Sequence, residues 1–173
     1  MSEISNKLWS AIDDIVRTVF AYLFRIIGKE YTATIHESLM QFVKFGIVGV
    51  SNTVISFILY SALLILLRYL GVFPQYDYLI SSIIAFVLSV LWSFYWNNKM
   101  VFVIEKGYRR NVLKALLKTF ISYSFTGLFL SSILLVIWVQ IFNVSEFLAP
   151  LINLLVSVPL NFIINKFWAF KAD

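Results

Sequence analysis

Asparagine and serine recur every four residues along two apolar stretches: Ser89, Ser93 and Asn97 on one, Asn153, Ser157, Asn161 and Asn165 on the other. That spacing keeps side chains on one face of an α-helix. Each stretch therefore carries a stripe of neutral hydrogen-bonding groups, and each stripe ends beside a lysine, Lys99 or Lys166. Amides and hydroxyls on such a face can hydrogen-bond a ligand, and the neighbouring lysine adds a positive charge. The same groups can instead hold helices together, at about 0.6–2 kcal/mol per contact inside a membrane. The serines fit that packing role best. Asn161 and Asn165 fit a ligand-facing role at least as well, and Pro159 adds a backbone carbonyl in need of another partner. For the two lysines the ordinary alternative is snorkelling to the interface.

Two further groups belong with these. Asn52, within Ser51-Asn52-Thr53, lies about 10 Å along a helix from Phe45 at about 1.5 Å per residue. A polar side chain at that depth faces the bundle rather than lipid. Trp168 and Trp96 could stack on a sugar, or join Trp92 and Tyr95 in an aromatic belt at the inner interface. The candidate substrate-binding set is thus Asn97, Lys99, Asn165, Lys166, Asn161, Asn52 and Trp168.

Other chemistries are poorly served. The chain has no cysteine and a single histidine, His36, so thiolate sites, disulfides and a histidine-rich metal site are not expected. No paired carboxylates mark a hydrolytic or metal-dependent enzyme, and Glu105 is the one acidic residue of the inner loop. Neither an enzyme nor a cofactor is expected.

The elements that carry these residues must lie in lipid. Of the 173 residues, 61% are hydrophobic and 13% charged, with mean hydropathy +0.87. Soluble domains are nearer half apolar and a quarter charged. Four stretches without a charged residue, Phe45 to Leu67, Tyr78 to Trp96, Thr119 to Phe142 and Phe147 to Ile164, approach or exceed the length of about 20 residues that a helix needs to cross. A membrane-embedded proton antiporter of this size would need a carboxylate inside a span, and the acidic residues all lie outside these stretches.

Basic residues gather on the cytoplasmic side of membrane proteins. Here they precede the first span, fill the loop from Asn97 to Lys118 and follow the last span, leaving Arg68 alone on the other side. Both termini are therefore expected in the cytoplasm. The cluster Lys106, Arg109, Arg110, Lys114 and Lys118 reads as attraction to anionic head groups rather than to nucleic acid.

The two stripes also align with one another. A shift of 68 positions places Asn97 on Asn165, Phe102 on Phe170, Ser89 on Ser157 and Ser93 on Asn161. The first and third spans open alike, at Lys44-Phe45 and Lys118-Thr119-Phe120. The pattern predicts a duplicated hairpin, residues 42–102 and 117–170, with both copies entering the membrane in the same sense. Gly46 and Gly49 are expected at a close helix contact.

Residues 1–40 differ. Leu8, Ile12, Ile15, Val16, Val19, Phe20, Leu23 and Ile27 recur at helical spacing, away from Asp13, Asp14 and Arg17. The expected element is an amphipathic helix in the inner interface, or one that docks a partner protein. The fold expected is thus an all-α membrane protein: four transmembrane helices as two repeated hairpins in residues 41–171, preceded by an amphipathic interfacial helix.

Three motifs, in register with the spans, carry a family resemblance. Phe42-Val-Lys-Phe-Gly-Ile-Val-Gly-Val-Ser-Asn-Thr53 resembles the opening of the GtrA-like family of small four-helix bacterial membrane proteins. Asn165-Lys-Phe-Trp-Ala-Phe170 resembles its closing motif, and Asn97-Asn-Lys-Met-Val-Phe102 the counterpart after the second span, with Met100 where the family usually has tryptophan. The resemblance covers about residues 41–171. It implies a flippase in the bacterial cytoplasmic membrane, moving a polyprenyl-phosphate-linked monosaccharide such as undecaprenyl-phosphate glucose to the outer leaflet for envelope polysaccharide glycosylation. It also implies two partners, a polyprenyl-phosphate glycosyltransferase and an outer-face glycosyltransferase. The alternative is a non-transporting anchor for such a glycosyltransferase. Four helices make a small wall for a pathway, which leaves room for a homo-oligomer.

Overall fold

The computed structural model describes residues 3–104, 107–145 and 148–171, and all of its regular structure there is helical. Glu105, Lys106 and Phe147, which enter the sequence reading above, lie outside the described residues. In chain order the helices are α1 (Glu3–Ile26), α2 (Ala33–Leu70), α3 (Asp77–Trp96), α4 (Val112–Ser124), α5 (Ser131–Val136) and α6 (Ala149–Ile164). Four π-helical turns interrupt or extend them: Asn97–Val101 after α3, Phe125–Leu130 between α4 and α5, Ile137–Ile141 after α5, and Asn165–Ala169 after α6.

Four of the resulting helical rods are long and apolar enough to cross a membrane: Ala33–Leu70, Asp77–Val101, Val112–Ile141 and Leu151–Ala169. The protein is a multi-pass membrane protein. Large apolar side chains such as Phe57 and Leu155 are 70% and 75% exposed, a surface that lipid rather than water can cover.

Local chemistry sets the helix ends. Gly28 (φ 66°) and Gly71 (φ 63°) take the left-handed conformation after α1 and α2. In each case the glycine N–H and the next N–H donate back to the last turn, Gly28 to Arg25 and Lys29 to Phe24, Gly71 to Arg68 and Val72 to Leu67. That paired closure satisfies carbonyls the helix leaves open. Asn111 caps α4, its Oδ1 accepting from the Lys114 N–H at 3.0 Å. Across the connection from α2 to α3, Arg68 Nε donates to Asp77 Oδ2 at 2.9 Å and the Tyr78 N–H donates to Asp77 Oδ1. Arg68 and Asp77 thus form an ion pair across this connection.

The contacts divide the chain into two units, Met1–Lys44 and Phe45–Asp173. In the first, α1 folds back along the foot of α2. His36 Nε2 donates to Asp13 Oδ1 at 2.8 Å, and the Tyr31 hydroxyl lies 2.7 Å from His36 Nδ1. Phe24 packs on Tyr31, the Lys44 ammonium lies over the Trp9 ring, and Val16 and Met40 are buried. Burial pushes the Tyr31 phenol above its ordinary value, partly offset by Arg17 and reinforced by Asp13. Leu8, Ile15, Val19, Tyr22 and Ile26 remain exposed on another side of α1.

The second unit centres on α4, which packs against α3, α6 and the π-turn after α6. Phenylalanines tie the ends of α3 and α6 together. Phe94 stacks on Phe170, Phe162 stacks on Phe102, and Phe102 and Phe170 stack on each other at 4.7 Å between ring centroids. Phe45 of α2 joins them against Phe102 and Phe162.

Candidate functional site

Asn97 and Asn165 occupy matched places. Each opens a π-turn closed by a phenylalanine N–H, Phe102 to the Asn97 carbonyl and Phe170 to the Asn165 carbonyl, both at 2.8 Å. Each side chain is fully buried. The Asn97 amide donates to Ser93 Oγ and to the Tyr123 hydroxyl, both at 3.2 Å. The Asn165 amide donates to the Asn161 carbonyl (2.8 Å), Asn161 Oδ1 (2.9 Å) and Ser122 Oγ (3.2 Å). Adjacent residues of α4 thus receive the two polar stripes, Tyr123 one and Ser122 the other. Ser93 Oγ and the Tyr123 hydroxyl are 2.7 Å apart, and Ser122 Oγ donates to Asn161 Oδ1 at 2.9 Å. Higher on α6, the Asn153 amide donates to the Ser131 carbonyl and Oγ.

The lysines lie elsewhere. Lys99 is exposed, donates to the Tyr95 hydroxyl at 3.1 Å, and sits over the Tyr95 and Trp96 rings. Lys166 is half-buried over Phe162 and Phe167. Lys118 lies over the Trp168 ring and donates to the Trp168 carbonyl at 2.9 Å. Arg110 braces the connection between α3 and α4: its guanidinium donates to Asn98 Oδ1 (2.6 Å) and the Phe102 carbonyl (3.0 Å) and covers the Phe170 ring. Two residues of the basic cluster, Arg110 and Lys118, therefore engage the protein's own carbonyls.

Between α2 and the rest of its unit the helices part. A cleft of about 620 Å³ is walled by α2 on one side and by α4, the following π-turn and α6 on the other, with Asn52, Tyr123, Thr126, Ser131, Ser157 and Asn161 among its polar lining. Adjoining it, between α2 and α3, a second cleft of about 420 Å³ is lined by Ser56, Tyr60, Ser82 and Ser89 among others. Asn52, Thr53, Phe86 and Tyr123 border both. Asn52 Oδ1 is buried without a hydrogen-bond partner among the described residues. The lower end of the larger cleft is Phe45, whose ring packs on Phe162 beneath the Lys166 ammonium.

The expected contact at Gly46 and Gly49 does not occur. A Cβ built on either residue meets nothing within 4 Å, because both face the cleft and not a neighbouring helix. Spacing alone could not distinguish a helix that touches its neighbour through glycine from one that stands away from it.

Among the candidate residues, the structure brings Asn52 and Asn161 together across the larger cleft. Asn97, Asn165, Lys99, Lys166 and Trp168 are not in the lining of either cleft. The third span's contribution is not among the sequence expectations. Thr119, Ser122, Tyr123 and Thr126 follow a spacing of three and four, the same kind of stripe as on α3 and α6, and that was the available signal.

A family model for the GtrA/DPMS transmembrane domain matches residues 44–170. The chain belongs to that family. The match begins at the boundary between the two contact units and ends at Phe170, so the GtrA/DPMS domain is essentially the helical unit that holds both clefts. Membership places the chain among GtrA family membrane proteins, which are implicated in handling polyprenyl-linked sugars for glycosylation. No curated protein matches the chain.

Proposed function

We propose that this GtrA-family protein is a flippase that carries a polyprenyl-phosphate-linked monosaccharide from the cytoplasmic to the outer leaflet of a bacterial cytoplasmic membrane, for cell-envelope glycosylation. The observation that carries the reading is the cleft beside α2, which places amides and hydroxyls within a set of membrane-spanning helices. A sugar head entering hydrocarbon loses its water, at roughly 2–7 kcal/mol for each hydroxyl left without a partner. Side chains that replace those partners lower the barrier, while the polyprenyl tail remains in lipid.

In this mechanism Asn52 and Asn161 meet sugar hydroxyls. Lys166 and Lys99 attract the phosphate at the inner interface, with Trp168 in the aromatic belt. Asn97 and Asn165 act through α4, holding the inner helix ends in place. The termini and basic loop face the cytoplasm, and the exposed apolar side of α1 rests on the inner leaflet. The two helical hairpins are repeats related by a local two-fold axis. The exchanged stacking of Phe94 on Phe170 and Phe162 on Phe102 supports that relation. A polyprenyl-phosphate glycosyltransferase supplies the lipid and an outer-face glycosyltransferase consumes it, so movement runs downhill without a cofactor.

The test is leaflet exchange of a labelled polyprenyl-phosphate hexose in vesicles that contain only the purified protein. Protein-dependent exchange is expected. Its absence, while the same preparation of the protein still recruits a polyprenyl-phosphate glycosyltransferase to vesicles in a separate assay, would overturn the flippase in favour of an anchor.

A further inference from the structure

Both clefts are lined without charge. Among the described residues, neither lining includes an aspartate, glutamate, lysine, arginine or histidine. A hydroxyl can find a donor or acceptor on Asn52, Tyr123, Thr126, Ser157 or Asn161. An ionised group would leave water for a site with no counter-charge, which costs several kcal/mol per ion even after relaxation. The walls therefore discriminate by charge before shape is considered.

Glycine keeps part of that wall free of side chains. Gly46 and Gly49 on α2 and Gly127 on the facing π-turn all border the larger cleft, and a Cβ on any of them would meet open space. Glycine inside a helix is less favourable than alanine. No neighbouring helix takes up the space left by the missing side chains. Asn52 borders the same walls, and its buried Oδ1 has no hydrogen-bond partner among the described residues.

We infer that the larger cleft is a head-group subsite selective for an uncharged, polyhydroxylated sugar ring, held open by Gly46, Gly49 and Gly127, and that it rejects sugars bearing a carboxylate, sulfate or ammonium. The inference rests on the lipid-linked sugar reading. The phosphate stays outside, toward Lys166, because only the neutral ring is matched by the walls.

The experiment uses the full-length protein in lipid nanodiscs. Binding of three probes is compared: polyprenyl-phosphate glucose, polyprenyl-phosphate glucuronic acid and polyprenyl phosphate without a sugar. The glucose lipid is expected to bind at least tenfold more tightly than the glucuronic acid lipid. Gly49→Leu should weaken the glucose lipid at least tenfold and leave the sugar-free lipid unchanged, and Gly49→Ala should change neither. Equal affinity for the neutral and acidic lipids overturns the charge selectivity, and this comparison needs no variant to fold. Unaltered glucose-lipid binding by Gly49→Leu overturns the placement of the subsite. A Gly49→Cys chain that forms a disulfide-linked dimer quantitatively would mean that a second copy fills the cleft, and also overturns it. Failure of every polyprenyl lipid to bind refutes the parent reading instead, a result distinct from loss of selectivity.

Discussion

Replacing Asn165 by alanine separates a residue that holds the fold from one that holds the substrate. Its amide donates to the Asn161 carbonyl, Asn161 Oδ1 and Ser122 Oγ, and all of these lose a donor in the variant. The amide has two hydrogens for three acceptors, of which only Ser122 Oγ lies on another helix; at about 0.6 kcal/mol per hydrogen bond within a membrane bundle the loss is roughly 1–2 kcal/mol. Ser122 Oγ still donates to Asn161 Oδ1, which limits the damage to that order. Asn97→Ala removes two contacts at 3.2 Å and leaves the 2.7 Å contact between Ser93 and Tyr123, so about 1 kcal/mol is expected. The measurement is reversible unfolding in mixed detergent micelles, without substrate, with leaflet exchange assayed in parallel at matched abundance. Asn165→Ala should be the less stable variant, and both should transport roughly in proportion to folded protein. Normal stability with abolished exchange would refute the structural assignment and return both asparagines to the head-group site.

Further tests address other parts of the molecule. A cysteine at Gln75 should react with an impermeant thiol reagent from outside and one at Tyr108 should not; the reverse would invert the topology, and the absence of native cysteine makes the experiment clean. Lys166→Ala should slow exchange roughly tenfold without lowering the melting temperature, since a charge-assisted contact is worth about 1.5–3 kcal/mol, whereas a lysine that merely snorkels would leave the rate unchanged. His36→Phe deletes the links to Asp13 and Tyr31 and should loosen α1 by about 1–2 kcal/mol, seen as faster proteolysis in residues 27–32 with exchange by the GtrA/DPMS domain retained. Tyr123→Phe should weaken the α3–α4 contact and leave the Asn165 network intact, as read from unfolding of the double variant with Asn97→Ala.

Spans, stripes and family were legible in the chain because each depends on local order. Charge-free runs such as Phe45 to Leu67 must be membrane helices wherever they pack, since only lipid tolerates so much exposed apolar surface and only a helix satisfies its own backbone there. The four-residue recurrence of Ser89, Ser93 and Asn97 fixes a face for the same reason. Which partner that face meets is a tertiary matter. Tyr123 and Ser122 lie far from Asn97 and Asn165 in sequence, and only the seating of α4 between α3 and α6 makes them the acceptors. The same seating buries both asparagines completely, removing them from either cleft lining, although their types and positions beside lysine looked equally suited to ligand. Gly46 and Gly49 show the complementary case. A missing side chain permits close approach or empty space with equal ease, and only the stand-off of α2 from the other helices turns them into the wall of a cleft.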